Sequence, residues 1–171
     1  ILVSIPKLVM KTADSFLDLQ TEIAWDILEM KQTGVLSARL LAEIGKGDVV
    51  KAVGNMDPEF VKHYPSKPLR ILTGADGDLN RLHLHTLSAE LPGAFQFQAE
   101  GDLLHLTDTT RRGGEINLSA EALDMRFLRW LTDGSVSVPQ GTTLDGIFTM
   151  AGSRMGTDLL LKQPQAQAVT L

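Results

Sequence analysis

Asp76, Asp78 and Asn80 stand at alternate positions, the spacing at which the first three oxygens of a calcium loop converge on a hard cation. The rest of such a loop is missing, because Arg81 stands where the sharp turn needs glycine and Leu87 where a bidentate glutamate closes the site. These residues therefore favour a polar turn and helix cap. His83, His85 and His105 are the clustered imidazoles. On a strand, His83 and His85 share a face and could ligate zinc with a third residue; on a helix they diverge by about 200°. No partner at diagnostic spacing accompanies them, so no metal or cofactor is assigned and polar surface positions are expected. Gly74 to Asp78 forms a glycine-containing turn, but it lacks the lysine and hydroxyl of a phosphate loop, and its aspartates would repel phosphate. No nucleophile elbow, zinc-protease helix or dinucleotide fingerprint occurs, so no catalytic residue is assigned.

Composition narrows the classes further. The 171 residues include 16 basic and 21 acidic side chains, a net charge of -5, which gives no global positive field for nucleic acid or an anionic membrane. Arg111 and Arg112 precede Gly113 and Gly114 and read as a solvated loop. Hydrophobic content of 43% with 22% charged residues is that of a folded globular chain. The absence of cysteine excludes disulfides, thiolate metal sites and cysteine nucleophiles. No apolar run approaches the roughly 20 residues of a spanning helix, so no membrane span is expected. The start at Ile1 suggests a processed chain or a piece of a longer one, with any signal peptide or lipid anchor lying upstream.

The elements that would position these groups read as follows. Ile1 to Met10 is apolar and β-rich, and Pro6 within it makes it an edge strand or a short extended arm. From Ser15 to Lys31, Phe16, Leu19, Ile23, Ile27 and Met30 predict a helix, with Trp25 off its stripe as a packing contact or an exposed partner contact. Ser37 caps a second helix bearing Leu40, Leu41 and Ile44; Asp48 opens a third; Asp57 and Pro58 begin a fourth reaching Tyr64. Residues 37–56 also invite comparison with a helix-turn-helix. Lys51 is offset by Asp48 and few other side chains could read base edges, so helical packing is preferred and nucleic acid is not an expected partner. Pro65 to Pro68 marks a boundary. Beyond it, Arg70 to Thr73 predicts a strand, Asn80 to Leu91 a helix ended by Pro92 and Gly93, Phe95 to Leu106 a hairpin turning at Glu100 and Gly101, and Ser119 to Gly134 a helix. In the tail, Ser135 to Val138 is a strand, and Leu144, Ile147, Phe148, Ala151 and Met155 predict a helix capped by Thr142 and Asp145. Strands at Asp158 to Lys162 and Ala168 to Leu171 follow. The expected fold class is α+β: a helical N-terminal part, 1–66, followed by one or two small strand-helix-strand-strand modules, 67–133 and 134–171.

The segment from Ser135 to Leu171 resembles the small domain at the N-terminus of secretins, found also in TonB-dependent receptor signalling regions and in pilus-biogenesis lipoproteins. The matching features are the strand ending at Pro139, the Thr142-Thr143-Leu144 helix start, Ala151, Gly156, and the Leu159 to Leu161 strand. What the resemblance implies is a noncatalytic structural or assembly component of a bacterial envelope machine for secretion, conjugation or pilus biogenesis. Its location would be the periplasm or the outer membrane, and its partners other envelope-complex subunits or copies of itself. The residues are compatible, since Asp145 and Asp158 balance Arg154 and Lys162, and an edge at Ala168, Val169, Thr170 and Leu171 could accept a partner strand. The alternatives are a DNA-binding regulator using 37–56 and a small metal-binding enzyme using His83, His85 and His105.

Overall fold

The computed structural model describes residues 2–25, 34–54, 57–132 and 134–164. Nine strands follow one another: β1 (Leu2–Lys11), β2 (Phe16–Ala24), β3 (Leu36–Ile44), β4 (Leu69–Gly77), β5 (Arg81–Leu91), β6 (Phe95–Leu104), β7 (Gly113–Ala122), β8 (Thr142–Ala151) and β9 (Arg154–Lys162). Each pairs antiparallel with its sequence neighbour, so they form one nine-stranded meander with β1 and β9 as open edges. Two short helices, α1 (Lys46–Val53) and α2 (Pro58–His63), lie between β3 and β4, and α3 (Leu128–Leu131) lies between β7 and β8.

Among the described residues 57% are strand and 12% helix, which corrects the expected α+β class with its helical N-terminal part and small modules. The segments predicted as helices at 15–24, 37–44, 80–91 and 142–151 are strands; residues 26–31 of the first lie outside those described. The region 119–134 divides between the end of β7 and the single turn α3. Glu100 and Gly101 continue β6 rather than turning it, and 135–138 is not a strand. The cause is a coincidence of periods. In β8, Leu144, Phe148 and Met150 alternate on one face, but Gly146 leaves a gap in the alternation while Ile147, on the other face, completes an apparent helical stripe. Pro92 and Gly93 also misdirect: with Gly93 at φ 85° and the Ala94 amide donating to the Leu91 carbonyl at 2.8 Å, they turn a β-hairpin instead of ending a helix.

The helices that do form carry local signals. Asp57 accepts a hydrogen bond from the Glu59 amide at 2.8 Å, and Pro58 takes the first position of α2, where its missing N–H costs nothing. That helix sets Phe60 and Tyr64 against Phe127, with ring centroids 5.3–6.0 Å apart, and the three rings close on Leu91 and Ala94. Leu69 and Phe95 pack against this cluster from the sheet. It therefore caps one end of the sheet, where β4 begins, β5 ends and β6 begins.

Candidate functional site

Register determines which side chains share a face, because directly opposed residues in antiparallel strands project the same way. Starting from β6, Phe95, Phe97, Ala99, Gly101 and Leu103 lie opposite Leu91, Ala89, Leu87, Leu84 and Leu82 of β5. On the other side they meet Ala122, Ala120, Leu118, Ile116 and Gly114 of β7. The same face continues through Leu144, Phe148 and Met150 of β8 to Leu161, Leu159 and Met155 of β9. In the other direction it runs through Leu69 and Ile71 of β4, Leu40 and Ala42 of β3, and Leu17 and Leu19 of β2, to Met10 and Leu8 of β1. No charged residue lies on it. Its polar side chains are Thr21, Thr73, Thr142 and Thr157. The opposite face carries the charged residues of the strands, among them Glu22, Arg39, Arg70, Glu90, Asp102, Glu115 and Asp145.

A sheet of this polarity normally hides its apolar face beneath a second layer. Here the helices and their flanking loops cover only one end of it. From Glu115 to Ser119 of β7 and from Leu144 to Ala151 of β8 the apolar-face residues are half-buried while their polar-face neighbours are exposed, although no strand among the described residues packs over them. Apolar side chains packed sideways against their neighbours on adjacent strands account for this half-burial, and with the β7–β8 connection standing on the same side the face forms a shallow trough. Eight inter-strand spacings of about 4.8 Å by nine residues at about 3.4 Å make a face on the order of 1,100 Å². The largest apolar patch on a typical monomer is roughly 300–600 Å².

The trough deepens where the β7–β8 connection folds over it. Met125 and Val138 from that connection, with Phe95, Phe97, Ala120, Ala122, Thr142, Leu144 and Leu161 from the sheet, bound a cavity of about 330 Å³. α3 and the extended stretch after it place Val138, and the Thr142 hydroxyl is satisfied by donating to the Pro139 carbonyl at 2.8 Å. Gln96 and Glu121 border it as well, and the rest of the lining is hydrocarbon apart from the Thr142 hydroxyl.

The residues singled out from sequence lie elsewhere. Asp78 does make a polar turn, accepting the amides of Asn80 and Arg81 at 2.7 and 2.9 Å, but a strand follows it, not a helix. His83 and His85 share the polar face of β5, their rings 4.5 Å apart and edge to face. His83 contacts Asp102 at 3.0 Å and His85 contacts Asp76. The hydrogen bond from His83, then that from Arg81, holds the Asp102 carboxyl below its usual range. His105 stands apart at the loop after β6, in a left-handed conformation (φ 49°), its amide donating to the Asn80 carbonyl. Among the described residues no group of three or more histidines and carboxylates is placed to hold a metal ion. A polar-face depression of about 450 Å³ between β2 and β5 is lined by Asp18, Arg39, Leu72 and His85. Of the 37–56 segment, the described residues 37–54 are β3 followed by α1 and present no pair of helices to DNA.

Of the expected partner contacts, Trp25 is 45% exposed just past β2, while Ala168, Val169, Thr170 and Leu171 lie outside the described residues. No helix among the described residues is long and apolar enough to cross a membrane. None of the candidate site residues read from sequence belongs to the apolar trough, whose signal is the two-residue alternation in Leu82–Leu84, Phe95–Phe97–Ala99 and Ile116–Leu118–Ala120. Comparison with family models, curated proteins and solved structures finds no match. The helix start at Thr142 that supported the resemblance to secretin N-terminal domains is a strand start, so the geometry adds nothing to that resemblance.

Proposed function

We propose that this protein holds lipid acyl chains in the trough, binding them without transforming them. The observation that carries this reading is the uncharged apolar face running across all nine strands, its middle half-buried and, away from the helices at one end and the β7–β8 connection, with no second layer of described residues over it. An acyl chain suits such a lining because it has no donors or acceptors to leave unsatisfied. A protein partner would bring roughly one hydrogen bond per 100–200 Å² of interface, and the four threonines offer little to pair with. A second sheet laid flat on the face would meet α2, α3 and the β7–β8 connection standing on the same side. The cavity of about 330 Å³ under Val138 suits the end of such a chain. The location in the periplasm or at the outer membrane, implied by the sequence resemblance, would place such a sheet beside a bilayer. Assembly with envelope subunits remains part of the proposal.

The test is titration of the delipidated protein with a fluorescent long-chain fatty acid. Ala120→Glu puts a charge into the lining and is expected to weaken binding at least tenfold; Ser119→Glu, one residue away on the polar face, should leave it unchanged. No saturable binding, or equal loss from both variants, would overturn the reading. Cell fractionation tests the location separately.

A further inference from the structure

We infer that two copies of this protein join through β9, edge to edge, about a two-fold axis at Leu160. The two edges of the sheet are not equivalent. β1 is guarded: Pro6 offers no N–H, and it sits with Lys7 where the register with β2 shifts between Ile5 and Leu8. β9 has no such defence. All nine of its residues are exposed, it contains no proline, and it pairs with β8 without any register shift. Leu159, Leu160 and Leu161 are 52%, 54% and 57% exposed. A long, exposed edge without bulge or proline and with three successive leucines is a template for another strand.

Parity and charge select both the occupant and the register. β1 and β9 run in the same direction in a nine-stranded meander, so β9 beside β1 of a second copy would be a parallel pair if the apolar faces stay on one side, and an antiparallel pair only if the apolar face of one copy met the charged face of the other. β9 beside β9 is antiparallel by symmetry. The loop joining β8 to β9 is the two-residue turn Gly152–Ser153, which makes Ala151 and Arg154 a hydrogen-bonded pair. The backbone groups of Met155, Thr157, Leu159 and Leu161 then point outward, free for a new strand. An axis at Leu160 sets Leu159 opposite the second copy's Leu161 as a hydrogen-bonded pair on the apolar face, so the trough continues across the joint. On the polar face, Leu160 meets its own copy and Asp158 meets Lys162, neither of which has an ion-pair partner among the described residues. An axis at Asp158 would instead oppose Asp158 to itself and Arg154 to Lys162, which like-charge repulsion disfavours.

The chain has no cysteine, so one introduced thiol reports the register. At the axis, Leu160→Cys would bring two thiols together in a non-hydrogen-bonded pair with Cα atoms about 4.5 Å apart, inside the disulfide range. Leu159→Cys would place them more than about 7 Å apart, outside it. Under mild oxidation L160C is expected to run as a covalent dimer and L159C as a monomer. Independently, light scattering should show a dimer for the unmodified protein, dissociation in D158K, and recovery in the swapped D158K/K162D. A monomeric unmodified protein, an L160C that stays unlinked, equal linking of L159C, or a swap that fails to restore the dimer would each overturn the pairing.

Discussion

At the scale of single residues, the protein is held by a few anchors around an otherwise open sheet. Phe60 is the largest fully buried side chain among the described residues, followed by Leu91, and it touches both Tyr64 and Phe127. Phe60→Ala removes the centre of that cluster and is expected to cost about 3–5 kcal/mol in denaturant unfolding. Asp48 plays a different part. Its carboxylate accepts hydrogen bonds from Ser15 at 2.6 Å and from Thr12, tying the β1–β2 turn to α1, and these bonds with nearby Lys51 hold it below its ordinary 3.8. A carboxyl lowered by folding contributes stability that is present above 3.8 and is lost as pH falls through the lowered value. Thermal melts of Asp48→Asn should therefore be less stable at neutral pH and show less loss than the parent on acidification below 3.8.

At the scale of elements, what could be read in the sequence was what local chemistry dictates. Asp57 with Pro58 specifies the start of α2 without help from the rest of the chain, and Pro6 in an apolar run marks β1 as an edge. The other strands are specified by partners far away in sequence. Phe16, Leu19 and Ile23 satisfy a helical stripe, yet Leu17, Leu19 and Ile23 also alternate as a strand, and only pairing with Ala42, Leu40 and Leu36 of β3 decides between them. His83 and His85 share a face because β5 has neighbours on both sides; a local reading that took Pro92 and Gly93 as a helix stop separated them. The trough was hidden for the same reason, since no single strand contains it. Gly146 gives an element-level test. A Cβ there would press on the Leu159 side chain and come within 2.8 Å of the Asp158 carbonyl, so the close approach of β9 to β8 depends on its absence. Gly146→Val is expected to cost about 1–3 kcal/mol and to speed hydrogen exchange selectively in β9.

At the scale of the whole molecule, the sheet separates two chemistries: charge and histidine on one face, hydrocarbon on the other. If the hydrocarbon face holds acyl chains by burial alone, affinity should follow chain length. At about 0.8 kcal/mol per buried methylene, removing two carbons should weaken binding roughly tenfold or somewhat more. Competition between fatty acids of stepped length measures this directly, and an affinity independent of length would point to recognition of the head group. The most direct measurement of the central claim compares neighbouring residues on β7. Ile116→Cys and Asn117→Cys, each carrying an environment-sensitive fluorophore, place the probe on the apolar and polar faces of one strand. Saturating fatty acid is expected to shift the emission of the probe at 116 to the blue and leave that at 117 unchanged. A shift at 117 alone, or at neither position, would contradict the account.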